Sequence, residues 1–275
     1  MLKFLSIAYL LLSTVNGLSQ VPDYFDFVKA ESELRLLFDQ LYSDSLSEPD
    51  PVLSRIREIL PEALEKEGGM EFPWNKLDKI GVISSEDGMI RIFTWHVSDD
   101  PNNYRYFGYI QVAAKKGKVK VFELVDNQKA QRSVQKLNQS PGDWYGKLYY
   151  QIITTKFKRK TYYTLLGMDF NTSRSTIKTI EAVSLQRNKP QFLKELFFNG
   201  RDRIDRLVLE YSSQVAISVR YDPGIQMITI DHLVPLHSIY EGNYEFYGPD
   251  GSFDGMEFEA GSWIYRQDID ARNID

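Results

Sequence analysis

The sequence predicts an α+β protein, predominantly antiparallel β, in which an N-terminal helical hairpin precedes a large β-sheet body resembling a sandwich or barrel. Three observations carry this prediction. Apolar side chains recur at three- and four-residue steps between residues 27 and 66, the period changes to two from about Ile80 onward, and no long alternation of strand and helix follows.

In the first helix, Phe27, Leu34, Leu37, Phe38 and Leu41 make one apolar stripe, which places Glu31, Glu33, Arg35 and Asp39 toward water. A polar stretch from Ser43 to Glu48 ends it. Asp50-Pro51 then starts a second helix, because a carboxylate can accept orphan backbone N–H groups and proline suits the first helical position. Val52, Ile56, Ile59, Leu60 and Ala63 form its buried face, Gly68-Gly69 stop it, and Pro61 is expected to kink or split it.

Aromatic and β-branched residues then dominate. Met89–Val97, Tyr104–Ala113 and Val119–Val125 read as a meander with turns at Asp99–Asn103 and Lys116-Gly117. Asn127–Gly142 is polar, carries a short helix signal around Val134 and ends at Pro141-Gly142, so it marks a boundary between two β segments. The second segment holds expected strands at Leu148–Thr155, Tyr162–Gly167, Ile177–Ser184, Arg203–Tyr211, Val215–Tyr221, Ile225–Leu233, Asn243–Tyr247, Gly255–Glu259 and Trp263–Arg266. Asp222-Pro223-Gly224 is a strong turn signal, since proline presets the first turn angle and glycine accepts positive φ. No fixed-period repeat occurs, which argues against a propeller or solenoid.

Residues 1–17 read as a cleaved export signal, 18–69 as the helical hairpin and 70–275 as the antiparallel β domain, with a sub-boundary candidate at 127–143. Lys3 gives the positive start, Phe4–Leu12 the apolar core, and Val15 and Gly17 the small residues before the cut. The apolar run is about half of the roughly 20 residues a bilayer-spanning helix needs. The expected location is therefore a periplasm or the cell exterior, with no transmembrane segment in the mature chain.

The chain contains no cysteine, which excludes disulfides, thiolate nucleophiles and thiolate zinc sites. A net charge of −5 offers no broad cationic face for nucleic acid.

Asp231-His232 at the end of a strand is the most enzyme-like pair, because histidine titrates near neutrality and a carboxylate can set its tautomer. Neighbours on a strand point to opposite faces, which weakens the pair and favours a structural role. His96, His232 and His237 fit no metalloprotease spacing. Asp250, Ser252 and Asp254, with Gly255, resemble the first half of a calcium loop, but position twelve falls on Gly261 where a bidentate glutamate is needed. A turn closing a hairpin is the plainer reading. Lys115, Lys116, Lys118 and Lys120, and Lys156, Lys158, Arg159 and Lys160, border two turns that could grip an anion or simply keep strand ends soluble. Among the aromatics, Trp144, Tyr149 and Tyr247 are the candidate ligand platforms, set against ordinary core packing that would also claim Trp95, Trp263, Tyr150, Tyr162 and Tyr163. Asn138-Gln-Ser and Asn171-Thr-Ser are glycosylation sequons, relevant only in a host with that pathway. No cofactor is expected.

The strings Trp144-Tyr-Gly-Lys-Leu-Tyr-Tyr150, Tyr163-Thr-Leu-Leu-Gly167, Asp231-His-Leu233 and Tyr247-Gly-Pro-Asp-Gly-Ser-Phe-Asp254, in this order, resemble an uncharacterised family of exported Bacteroidetes proteins, over about residues 80 to 266. That resemblance implies a Gram-negative envelope and carries over no catalytic residue. Two functions follow as expectations. One is a non-catalytic binding or assembly module for an envelope protein or glycan. The other is a hydrolase of an envelope or dietary polymer using Asp231, His232, Asp250 and Asp254.

Overall fold

The computed structural model describes residues 25–43, 46, 48–100, 102–127 and 140–270. The expected export signal, the helix signal at Val134 and the sequon residue Asn138 lie outside them. The chain forms two N-terminal helices followed by a mostly antiparallel β body, an α+β fold with sandwich-like layering. No helix among the described residues is long and apolar enough to cross a membrane.

Helix α1 spans Phe27–Leu41 and is capped by Asp26, whose carboxylate accepts from Lys29 N at 2.9 Å. Helix α2 spans Asp50–Glu65 and runs through Pro61 as one element, because its face of Val52, Ile56, Ile59, Leu60 and Ala63 is buried on both sides of the proline. Two expectations fail here. The residue before the helix is Pro49 with no side-chain cap, and the Asp50 carboxylate pairs with Arg105 Nη1 at 3.0 Å instead. Glu31 does not face water: it is buried and accepts from Lys76 N at 2.9 Å.

Three sheets follow. The first is β1 (Gly81–Ser84), β2 (Ile90–Asp100), β3 (Asn103–Ala113) and β4 (Val119–Val125), in that order. The second is built on β5 (Leu148–Phe157), β6 (Lys160–Asp169), β7 (Ser175–Gln186) and β11 (Leu207–Ser212), with β8 (Lys189–Phe192) also paired to β7. The third contains β9 (Phe197–Phe198), β10 (Arg203–Ile204), β12 (Val219–Asp222), β13 (Met227–Pro235), β14 (Tyr247–Glu259) and β15 (Ser262–Arg266), ordered β10-β9-β15-β14-β13-β12. Every pair is antiparallel except β15 with β9, which is parallel. β1, β8 and β9 add to the expected strands, the strand expected at Arg203–Tyr211 is broken into β10 and β11, and the strand expected at Asn243–Tyr247 is a short 3₁₀ turn at Tyr244–Phe246.

Strand alternation stacks these sheets as successive layers. Phe93, Trp95, Val97 and Tyr109 face the helices and make one core with Leu34, Phe38, Ile56 and Leu60. Ile90, Ile92, Tyr106, Ile110 and Val112 point the other way, against Trp144, Tyr149, Tyr163, Leu165 and Val183 of the second-sheet region. The far side of that sheet, through Ile153, Leu166, Ile180 and Ala182, meets Val219, Ile228, Ile230, Met256 and Trp263 of the third. The sub-boundary candidate at 127–143 falls largely outside the described residues, while the strands on either side of it belong to layers that share a core. Its ends meet, since Trp144 N donates to Val125 O at 2.9 Å and Asn127 N to Trp144 O at 2.8 Å.

Between the first two sheets lies a buried ionic cluster. Glu181 on β7 is completely buried, with Arg206 Nη2 2.6 Å from Oε2 and Lys147 Nζ 3.2 Å from Oε1. The Tyr149 hydroxyl donates to Glu181, Trp144 Nε1 donates to Tyr149 at 2.9 Å, and Lys147 also reaches Thr179 Oγ1 at 3.2 Å. Tyr106 and Tyr145 each donate to Asp169 at 2.9 Å, and the Tyr145 ring lies beneath both Lys147 and Arg206. Gly167 makes room, as a Cβ there would come within 2.7 Å of Lys147 Cδ. Burial pushes the Glu181 carboxyl up, but Arg206, Lys147 and Tyr149 overcome it and hold the group below the ordinary glutamate range. Burial and repulsion from Arg206 pull Lys147 down to about 7. Arg206 is thus the main counter-ion.

Glu181→Gln should therefore cost about 3–5 kcal/mol in urea unfolding, by removing the buried negative charge that Arg206 and Lys147 both face, whereas Lys147→Met should cost less. The folded value for Glu181 lies below its unfolded one, so its stabilisation is complete above the unfolded value and disappears as pH falls through the folded value. Lys147 is also lowered, so the unfolded chain holds the extra proton between about 7 and the ordinary lysine value, and stability should climb across that window. Urea midpoints measured from pH 3 to 10 should show both slopes, the acid one flattened by Glu181→Gln and the alkaline one by Lys147→Met.

Candidate functional site

The residues that sequence reasoning singled out fall into two groups. Trp144 and Tyr149 are each 1% exposed and bonded to one another inside the core, so neither can serve as a ligand platform. Trp95 and Trp263 are buried as well. The other group, Asp231, His232, Tyr247 and Asp254, lines one cleft of about 160 Å³ together with Glu210, Tyr244 and Tyr265.

The register of β13 and β14 builds this cleft. Pairing runs regularly from Met227↔Glu257 to Asp231↔Phe253 and resumes at Leu233↔Pro249, so Asp250, Gly251 and Ser252 bulge opposite His232. Asp250 Oδ1 closes the bulge by accepting from Ser252 N at 2.9 Å and Ser252 Oγ at 2.7 Å, and Gly251 adopts φ +91°. The segment read as half a calcium loop, or as a turn closing a hairpin, is therefore a bulge inside a long strand. Its oxygens do not converge: Asp250 and Ser252 engage each other, while Asp254 serves other partners. Among the described residues, no three His, Asp or Glu side chains gather in a metal-binding group.

Asp231 and His232 separate as strand alternation demands. Asp231 Oδ2 accepts from Ser218 N at 2.8 Å, whereas His232 Nδ1 lies 2.6 Å from Asp254 Oδ2. The bulge brings Asp254 to the histidine, and Asp254 is then fixed by the Tyr265 hydroxyl and by Asp268 N at 3.1 Å. A carboxylate only accepts, so it is the imidazole that donates from Nδ1. The hydrogen bond with Asp254 raises the His232 pKa against the opposing effect of burial, with Asp254, Asp250 and Asp268 adding attraction. His232 is thus oriented by Asp254 through Nδ1. Among the described residues, no serine or threonine hydroxyl is hydrogen-bonded to it.

The remaining histidines lie elsewhere. His96 is packed among Tyr42, Tyr104, Tyr106 and Phe170, and burial lowers its pKa. His237 sits on the loop after β13, beside Tyr240. The two lysine-rich turns belong to different sheets, and Lys158 and Lys160 lie over the rings of Phe157 and Tyr162. A larger recess of about 350 Å³ over β3 and β4 is crossed by the Arg57–Glu123 ion pair at 2.7 Å, so these charges already satisfy each other.

Sequence reasoning missed Glu210, Tyr244 and Tyr265, because β11, the turn at Tyr244–Phe246 and β15 reach the cleft only through tertiary packing. Fold and site together define a layered α+β protein with a small cleft walled by tyrosine and carboxylate side chains. Compared with protein-family models, curated proteins and solved structures, the chain finds no match.

His232 and His96 should titrate on opposite sides of the ordinary histidine value in a two-dimensional NMR pH series, His232 above and His96 below. Asp254→Asn should bring His232 back down and leave His96 in place. Because the folded His232 value exceeds the unfolded one, its contribution to stability is full below the unfolded value and fades as pH rises through the folded one.

Proposed function

We propose that this chain is an exported, non-catalytic binding module of a Gram-negative envelope, acting in the periplasm or at the cell exterior, and that its occupant is a protein segment docked beside the His232 cleft. The observation that carries this reading is the loop between β13 and β14. Of seven large apolar side chains exposed among the described residues, three belong to it: Leu236 at 53%, Ile239 at 84% and Tyr244 at 52%. Exposed apolar side chains gathered on one loop mark interaction surfaces, and Tyr244 of this loop lines the cleft.

The loop is preorganised. Leu236 N donates to Phe246 O, Tyr240 N to His237 O, and Asn243 N to Tyr240 O, each at 2.9 Å. Tyr240 stacks on Phe246 with ring centroids 4.2 Å apart, and Gly242 N is tied to the Tyr247 hydroxyl at 3.0 Å. A surface already held in shape loses little entropy on binding. Leucine and isoleucine gain from burial against other apolar side chains and offer a glycan little, so protein is the favoured partner. Export is supported by the Lys3, Phe4–Leu12 and Val15/Gly17 pattern alone.

Selection of a phage-displayed random peptide library on the purified chain tests this reading. Enriched peptides should carry apolar residues, and Leu236→Asp with Ile239→Asp should weaken them at least tenfold while moving Tm by no more than about 2 °C. Peptides indifferent to both substitutions would overturn it. Turnover of a polymeric substrate that vanishes in His232→Ala would favour the hydrolase instead.

A further inference from the structure

Resting on the reading that a protein segment docks beside the His232 cleft, we infer that this segment binds in extended form and adds a strand to the outer edge of β11. β11 pairs with β7 antiparallel, from Leu207↔Ile180 to Ser212↔Ser175, and just beyond it Ser213 N donates to Arg174 O at 2.9 Å. Bonded pairs in an antiparallel ladder come at every second residue, so Leu207, Leu209 and Tyr211 turn their N–H and C=O toward β7, while Val208 and Glu210 turn theirs away. Ser212, the next residue of the outward set, is closed by Val215 N on its carbonyl at 3.2 Å. Val208 and Glu210 have no backbone partner among the described residues, although β14 and the turn at Tyr244–Phe246 pack beside β11. Each keeps a main-chain donor and an acceptor for another strand.

The cleft lies along this edge. Val208, Leu209 and Glu210 line it in succession, and neighbouring side chains on a strand point to opposite faces, so such a run borders a space with the strand's edge rather than with either face. Leu209, Ile230 and Leu233 border the same space and pack on one apolar core. Every second side chain of an added strand therefore meets an apolar wall, and a proline-free segment of alternating apolar residues is the partner that fits.

Other edges of the fold are guarded. β4 carries Lys120, and its Val125 carbonyl accepts from Trp144 N at 2.9 Å. β12 is covered by β5, through the Tyr150 hydroxyl on Val219 O at 2.9 Å and Tyr221 N on Gln151 Oε1 at 3.0 Å. β11, Leu-Val-Leu-Glu-Tyr-Ser, holds no lysine or proline, and the charge of Glu210 is engaged by Ser175 Oγ of β7 at 2.7 Å. Sheets protect bare edges with lysine, proline or a covering element, so an edge without them, set in a cleft, is one kept for pairing.

The test uses the full chain and the peptide acetyl-Thr-Val-Thr-Val-Thr-Val-Thr-amide, with amide hydrogen exchange read by NMR. In the free chain the Val208 and Glu210 amides should exchange at least about tenfold faster than those of Leu209 and Tyr211, and millimolar peptide should slow them about tenfold. Isomers N-methylated on the threonines or on the valines should differ: the set whose amides face β11 loses the protection when methylated, and the set facing away keeps it. Val208→Pro should abolish protection as well and, because that N–H bonds nothing in the fold, should lower Tm less than Leu209→Pro. If Val208→Pro fails to fold, the two isomers on the unaltered chain decide. Val208 and Glu210 amides already as slow as that of Leu209, no protection by the peptide, or equal effects of the two methylations overturns strand addition. If selected peptides still depend on Leu236 and Ile239, only strand addition then falls; if the selection fails too, the docking reading falls with it.

Discussion

Glu181 is the constraint on which the layered body depends. A carboxylate at the centre of β7 has no water, so its charge must be met by protein groups, and they come from distant stretches of chain: Lys147 and Tyr149 near β5 and Arg206 ahead of β11. Because each partner must arrive in register, the cluster ties β7 to the segments entering β5 and β11, while Tyr149 N on Thr94 Oγ1 at 3.0 Å and Tyr106 on Asp169 at 2.9 Å join that sheet to the first. Tyr106 and Tyr145 extend the same logic by converging on the two oxygens of Asp169.

With that interface fixed, the third sheet sits against the far side of the second through Thr164 and Trp263, whose side chains bond at 2.8 Å, and through the apolar residues around them. The cleft forms where β11 of the second sheet approaches β13, β14 and β15 of the third. Its polar wall is therefore shared between two layers, Glu210 from one and Asp231, His232, Asp254 and Tyr265 from the other. Both walls belong to paired strands, and the loop that brings Tyr244 to the cleft is closed by its own hydrogen bonds.

Legibility in the sequence followed the range of the interaction. The stripe of Leu34, Phe38 and Leu41 and the alternation of Phe93, Trp95 and Val97 are local periodicities, and both became buried faces. The turn at Asp222-Pro223-Gly224 is local chemistry, and it joins β12 to β13, with Gly224 N donating to Asp222 at 2.8 Å. Glu31 was misplaced because nothing near it in the chain announces that Lys76 N will need an acceptor. The chain neighbour of His232 is Asp231, whereas its partner Asp254 lies on the next strand and arrives only through a bulge.

The sequence by itself determined the class of the fold, the two helices, most strands and a chain held together without thiols, since periodicity, turn chemistry and composition are properties of short stretches. Tertiary structure alone decided that Trp144 and Tyr149 belong to the core, that His232 is held by Asp254, and that Leu236, Ile239 and Tyr244 stand in solvent on one loop. The reason is that register, bulges and the stacking of sheets set which side chains meet, and these are fixed by the global packing of distant strands rather than by any local preference.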